Sequence, residues 1–502
     1  MTTSMATGGR CRVDTAPHPI LQVYSAGNFG EIAPERLSPM SWSLVGRPME
    51  LGTRRFVSDI LRAPTWATGS HYVFTGYFHC RPYHNLSAYC HIAEHVDLLT
   101  PEDVTAAYFE GIEPPAALLG KRPGRITRHR ATARMLRELV NLRPRVIELE
   151  QRVFDFENLV QDVFDAGADW RLGELAEVGN TLLESAWHLH IIGTSGSIAA
   201  DVLQRTAINR LAAHGSSVVN WLKEPAELPW GPLVELAPIA GGPAEFVKQP
   251  FYEVADTTAP WCDFTLPPMG AAVRTGRDHV DLTPREALVG MHESWRGRGI
   301  DATVLFLGDV MALREHSKSL AMRLLHAHRR FIPRLARLRG VGQDDWPYLS
   351  MSELRADALP DAVEIEARRQ SCEDSLALHM PDYLDFTPGA PGAHQPVRTP
   401  CGVSAGTYDG VAIGLDEIPS EPGAVLVCES ADANIMPLLP FVSAVVTARG
   451  SRYSHVAIIC REIGIPAVVS HPLATEIKPG QRVHVDGDKG LVTIIDDKGE
   501  VL

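Results

Sequence analysis

The chain has 502 residues, 45% hydrophobic and 22% charged, enough for about three domains with sizeable buried cores. Lys plus Arg number 47 against 61 Asp plus Glu, and the resulting net charge of −14 argues against nucleic acid or an anionic membrane as the dominant partner. Residues 1–16 carry Arg10, Arg12 and Asp14 without an apolar core, no window approaches ~18 uninterrupted apolar residues, and the eight cysteines include no C-x-x-C pair. The expectation is a soluble, cytoplasmic protein with no signal, no membrane span and no disulfide framework.

In chain order, helical spacing is predicted over 132–164, 172–189, 198–222, 284–298 and 310–338. In the last of these Leu324, His328, Phe331, Leu335 and Leu338 share one face and Arg323, Arg330, Arg334 and Arg337 another, with Pro333 expected to kink the helix. The basic runs 121–145 and 323–339 read as solvated helix faces. Residues 387–401, TPGAPGAHQPVRTPC, have no periodic apolar pattern and read as a linker. Short β-rich runs follow at 424–428, 443–447, 467–470, 482–486 and 491–495. A helical pattern at 455–463 completes a β-α-β unit, and Asp486-Gly487-Asp488-Lys489-Gly490 forms a tight turn. The fold class expected is multidomain α+β. An unstructured N-terminus at 1–24 precedes a large, mostly helical domain at 25–386, a linker at 387–400 and a compact α/β domain at 401–502.

The informative segment is Thr447-Ala448-Arg449-Gly450-Ser451-Arg452-Tyr453-Ser454-His455. A strand runs into a glycine loop, and Ser454 precedes His455 at a helix start, where backbone N–H groups and the helix dipole favour an anion. Imidazole nitrogen is a competent nucleophile, so a phosphoryl group suits both properties, with Gly450, Ser451, Arg452 and Ser454 as the phosphate loop and Arg449 as a further cation.

This string, with Arg461, Glu462, Gly464, Ile465, Pro466, Ala467, Val468 and Val469 after it, resembles the phosphohistidine swivelling domain of the phosphoenolpyruvate-utilising enzymes. The pattern there is approximately T-x-x-G-G-x-x-S/T/C-H-x-A followed by A-R-E-x-G-I-P-A-V-V. Pro479-Gly480-Gln481 and Val485-Asp486-Gly487 match the closing strands, while Ser451 replaces the second glycine and Val456 a common Ala or Gly. Further back, Ser38-Pro39-Met40-Ser41-Trp42-Ser43-Leu44, Tyr83-His84-Asn85-Leu86, Arg314-Glu315-His316-Ser317-Lys318, Leu349-Ser350-Met351-Ser352-Glu353-Leu354 and Arg368-Arg369 resemble rifampicin phosphotransferases. The middle, about 120–300, matches only in being helical.

The resemblance implies a carrier domain whose histidine is phosphorylated by an ATP-grasp domain, with ATP going to AMP and phosphate, and which then hands the group to an acceptor. No ATP-grasp domain, Walker-type motif or pyruvate barrel is recognised, so ATP and Mg²⁺ are expected on a separate ATP-grasp partner and no cofactor on this chain. The function expected is that of a phosphotransferase component carrying phosphate on His455 to a small-molecule acceptor. The alternatives are a non-catalytic binding or assembly subunit that retains the fold, and phosphate activation serving a condensation. His188 and His190 are candidate acceptor bases. His91-Ile92-Ala93-Glu94-His95 matches H-x-x-E-H, yet five-residue patterns recur by chance and no third ligand is fixed, so no metal site is expected.

Overall fold

The computed structural model describes residues 11–27, 29, 36–62, 64–67, 72–115, 122–211, 300–378, 380–388, 398–415, 417, 422–429, 438, 441–452 and 454–496. The molecule mixes helix and sheet. Up to residue 388 the order is β1 (Val23–Ser25), α1 (Pro39–Leu61), β2 (Thr75–Phe78), β3 (Arg81–Asn85), α2 (Leu86–Glu94), α3 (Pro101–Tyr108) and α4 (Arg125–Val140). It continues with α5 (Leu142–Asp165), α6 (Leu172–Leu211), α7 (Ile300–Leu338), α8 (Met351–Arg355), α9 (Ala362–Leu376) and β4 (Tyr383–Asp385). Among the described residues no helix is long and apolar enough to cross a membrane.

Helix α5 buries Val146, Leu149, Val153, Phe156, Val160 and Val163, an i, i+3, i+4, i+7 stripe that faces the core. Helices α6 and α7 pack closely because α6 is glycine-bearing at the contact: a Cβ on Gly193 would stand 2.8 Å from the Cα of Arg314. The helix expected over 132–164 breaks at Asn141 into α4 and α5, and those expected over 172–189 and 198–222 fuse into α6 as far as Leu211. The helix expected at 284–298 lies outside the described residues. Pro333 sits inside α7, which continues through it to Leu338, because Phe331, Ile332, Leu335 and Ala336 anchor both sides of the proline in the core. Leu338 is 54% exposed, off the apolar face assigned to it. Nor is the arginine face simply solvated: Arg323 forks onto Glu157 at 2.9 and 2.5 Å, and Arg334 lies over the ring of Phe164.

Strands β1 to β4 form an antiparallel sheet in the order β2-β3-β1-β4. Runs of three to five residues are too short to show alternation. Residues 11–24, expected to be unstructured, include buried Cys11, His18 and Leu21, because β1 pairs with both β3 and β4.

The last hundred residues hold β5 (Cys401–Ser404), β6 (Thr407–Ile413), β7 (Ala424–Cys428), β8 (Val442–Thr447), α10 (His455–Ile463), β9 (Ala467–Val469), β10 (Arg482–Asp486) and β11 (Leu491–Ile495). They make a seven-stranded sheet ordered β11-β10-β6-β7-β8-β9-β5, with β6 to β9 parallel and β5, β10 and β11 antiparallel. Separate apolar clusters cover its two faces, Leu426, Val445, Val456 and Cys460 on one and Val425, Val446, Val468 and Val485 on the other. Of the linker expected at 387–400, residues 389–397 lie outside the described residues, and Arg398 already forms a bridge with Ile112.

Candidate active site

Strand β8 delivers the chain to the carboxyl edge of the parallel strands, the edge at which open α/β sheets bind ligands. Gly450 follows with φ +145°, a conformation closed to most L-residues, and a Cβ there would press on Val469 at 3.2 Å. Ser451 is buried with φ outside the positive region, so the place of the second family glycine does not need glycine's backbone freedom. Its hydroxyl makes no hydrogen bond.

Ser454 is the N-cap of α10, with φ −63° and ψ 153°. Its Oγ accepts from the N–H of Ala457 at 3.4 Å and donates to the carbonyl of Ser451 at 2.8 Å. His455 is therefore the first helical residue, in the turn whose N–H groups lack helical partners. At the far end Gly464, at φ 70°, closes the helix through Cys460, so the Gly-Ile-Pro of the motif is a helix stop. Arg461 reaches back from that end, its Nη1 donating to the carbonyls of Arg452 at 2.9 Å and Val403 at 3.2 Å. The arginine of the motif thus braces the loop.

The loop is docked on the N-terminal part of the chain. The N–H of Arg452 donates to the carbonyl of Ala106 in α3 at 3.4 Å. Arg449, expected to be available to phosphate, instead lies 2.9 Å from Asp382 and 3.5 Å from Glu110, and Arg398 meets Glu110 at 2.8 Å. Arg81 completes the network with a 2.5 Å contact to Asp382. Glu110 is buried and has φ 54°. Burial opposes charge on Arg449, but Glu110, Asp382 and Glu429 outweigh it and raise its pKa, so the guanidinium stays charged in the interface. Ser470 joins the contact: its Oγ lies 2.7 Å from the carbonyl of Gly450 and 3.1 Å from that of Glu110.

Next to this junction, Tyr108 and Phe109 at the end of α3 line an apolar cavity of about 110 Å³ together with Trp187, His190, Lys318 and His84. His190 holds the carbonyl of Arg314 through Nδ1 at 3.2 Å, and Nη1 of Arg314 donates to the hydroxyl of Tyr108 at 3.0 Å. His84 stacks on Phe29 with centroids 4.2 Å apart, and its buried Nδ1 makes no hydrogen bond. Burial, helped by His190, depresses its pKa to about 3, so it is a neutral imidazole near pH 7. His188 is not part of this cavity. Its Nδ1 is 3.1 Å from the carbonyl of Gly52, where α1 and α6 touch, and burial lowers its pKa to about 3. The two candidate bases thus point apart, as alternate residues on a helix do. The structure adds His84, Lys318 and Tyr108 to the wall; His84 and Lys318 fall inside motif strings, but only tertiary contact gives them a common cavity.

A larger and more polar cavity of about 630 Å³ is lined by Trp42, Arg47, Tyr72, Asn180, Glu184 and Arg368 among others, and none of the ion pairs at the docked loop involves its walls. In the H-x-x-E-H segment, His91 Nδ1 is 3.1 Å from Glu94 and His95 Nδ1 is 2.8 Å from the carbonyl of His91, so both rings are held within their own helix end.

The loop at the carboxyl edge of the β-α-β unit thus places a positive-φ glycine and a capping serine ahead of a histidine at a helix start. Residues 420–490 match the family model described as "PEP-utilising enzyme, mobile domain", and this segment is such a mobile domain. The chain is 29% identical over 257 residues to a rifampicin phosphotransferase of a Streptomyces species, covering 45% of this chain and 29% of that protein. It is 50% identical over 76 residues to phosphoenolpyruvate synthase of Escherichia coli, 14% of this chain and 10% of that enzyme. It is also 44% identical over 87 residues to chondramide synthase of Chondromyces crocatus, 17% of this chain and 2% of that protein. The chain therefore spans less than a third of the length of each of these three, one of which is a phosphotransferase by name.

Proposed function

We propose that this chain is a phosphotransferase component in which His455 carries a phosphoryl group to a small-molecule acceptor bound in the helical part. The observation that carries this reading is the docking of the 449–452 loop on α3, two residues from Tyr108 in the wall of the cavity that holds His84 and His190. In the first step an imidazole nitrogen of His455 attacks phosphorus and the bond from phosphorus to the donor's leaving group breaks, P–O with release of an anion for a nucleotide donor and P–N with release of ammonia for phosphoramidate. In the second, an acceptor hydroxyl oxygen attacks the same phosphorus, the N–P bond breaks back to imidazole, and the hydroxyl proton passes to a neutral histidine of the cavity. The apolar lining favours an acceptor with an apolar body and a hydroxyl directed at His190 or His84.

We place the nucleotide chemistry, with ATP and Mg²⁺, on a separate ATP-grasp partner. Residues 401–496 act as the carrier that moves between that partner and the cavity. The match to rifampicin phosphotransferase over 257 residues supports an acceptor domain in the helical part; the match to the mobile-domain model supports the carrier.

The test is phosphoryl labelling of the full chain, with labelled ATP and the ATP-binding partner or with phosphoramidate as a small chemical donor. The label is expected on His455, acid-labile and alkali-stable, because an N–P bond hydrolyses once the ring is protonated. A wild-type chain that takes no label from either donor, or a His455→Ala chain that retains turnover, would overturn the reading.

A further inference from the structure

Cys11 and Cys372 stand 361 positions apart in the chain with Cys80 between them, yet the Sγ atoms of all three lie within 4.8 Å of one another in the core of the N-terminal part. They come from the segment before β1, the β2–β3 turn and helix α9. From the geometry of this cluster we infer that Cys11, Cys80 and Cys372 form a binding site for a thiophilic divalent cation, zinc in particular.

Three thiolates on one cation is a preferred donor set for zinc. Tetrahedral coordination at Zn–S of about 2.3 Å puts sulfur atoms about 3.8 Å apart, so ligation asks each thiol to move inward by less than an ångström. None of the three is in a disulfide, and all three are buried. The surroundings resemble the outer shell that positions metal ligands. The Ser371 hydroxyl donates to Cys11 Sγ at 3.3 Å and is itself fixed by the N–H of Arg12 at 3.1 Å. Asp14 ties the Cys11 segment to the β2–β3 turn, one carboxylate oxygen accepting from the N–H of Cys11 at 3.0 Å and the other from the N–H of His79 at 2.6 Å.

The β2–β3 turn supports the same reading. His79 and Cys80 have φ of 50° and 62°, a two-residue hairpin conformation usually filled by Asn and Gly. Holding a histidine and a cysteine there carries a backbone cost, which a bond from Cys80 to a cation would offset. His79 precedes Cys80 in this turn, with its Nδ1 3.3 Å from Ser375 Oγ on α9. The sequence hid the site because the three cysteines have no ligand-type spacing and belong to separate elements.

The experiment uses the full chain expressed with zinc supplementation and purified without chelator. Elemental analysis is expected to find about one zinc per chain, as a structural site retains its metal through purification. Cys372→Ser and Cys80→Ser should each lose at least nine-tenths of it, while Cys428→Ser, in the other part of the chain, should keep it. Because a core variant can fail to fold, cobalt(II) is also titrated into metal-free wild type, where the intense near-ultraviolet thiolate-to-cobalt band should saturate at one equivalent. A wild type with neither zinc nor that band overturns the site. So does non-reducing peptide mapping that finds a disulfide between any two of these cysteines, or a Cys428→Ser chain that loses zinc with them.

Discussion

The two sides of the docked junction store their function differently. In the 441–496 segment, each motif residue answers a local backbone demand: Gly450 a positive φ, Ser454 a helix cap, Gly464 a helix stop, Arg461 two loop carbonyls. In the helical part, the cavity wall is assembled from β3, α1, α2, α3, α6 and α7, and no two of His84, His190 and Lys318 are close in sequence. A carrier reads as a motif because its geometry is made by neighbours in the chain. The cavity does not, because tertiary packing makes it.

The largest expected effect separates the two directly. Removing the nucleophile with His455→Ala should abolish both labelling and transfer, with the fold retained because alanine is well tolerated at a helix start. His84→Ala or His190→Ala should leave labelling at the wild-type level and slow transfer to the acceptor by about 10²-fold or more, the range for loss of a general base. Single-turnover transfer from chain labelled with phosphoramidate measures this split. If either cavity variant lost labelling instead, the comparison between carrier and pocket would break.

How far each side was legible follows from the same difference. The limits of α10 were readable because a cap, an apolar run and a glycine stop lie within eleven residues, and strands β7, β10 and β11 were readable as short β-branched runs. Strands β5 and β6 were missed: Cys401-Gly402-Val403-Ser404 has no β-rich signature, and its Gly402 is fixed by contact with the Gly487 carbonyl, eighty-five residues away. Arg449 was assigned to phosphate by proximity in sequence, whereas Glu110 and Asp382, distant in the chain, hold it. His188 and His190 were indistinguishable as letters; the turn of α6 sends one to the α1 contact and the other to the cavity.

A second effect tests whether the carrier's glycines are structural. A Cβ on Gly487 would stand 1.9 Å from the Ser404 carbonyl, so Gly487→Ala should cost about 3 kcal/mol or more and lower the urea midpoint of residues 401–496. Gly173→Ala in α6 meets nothing within 4 Å and should be neutral or stabilising by up to about 1 kcal/mol. Hydrogen exchange read by region would show whether each loss stays on its own side of the junction.

Acid should act on the other side. Burial holds His84 and His188 at about 3 and His328 at about 4, all below the ordinary value of 6.5. Their folded pKa values are depressed, so the unfolded chain binds more protons between those values and 6.5. Stability is complete above that window and falls as pH drops through it, by at most about 1.4 kcal/mol per pH unit for each histidine. In the carrier segment burial likewise lowers the pKa of His471, one such group against the three just named in the helical part. From pH 7 to 5, exchange protection should therefore fall more in α1, α6 and α7 than in the seven-stranded sheet. Equal losses on both sides would remove the buried histidines as the cause.

The smallest effect belongs to the one substitution in the glycine loop. Ser451 has φ outside the positive region and a buried hydroxyl without a hydrogen bond, so Ser451→Gly removes an unsatisfied polar group while adding unfolded-state freedom. These effects oppose each other at about 1 kcal/mol each, and the net change in stability should be small. Labelling of His455 should be unchanged or raised less than about threefold, because the Gly450 conformation and the Ser454 cap that form the loop stay in place. Labelling seen only after Ser451→Gly would show that serine blocks approach to the loop, and the carrier would then be the attenuated side of the molecule while the pocket remained intact.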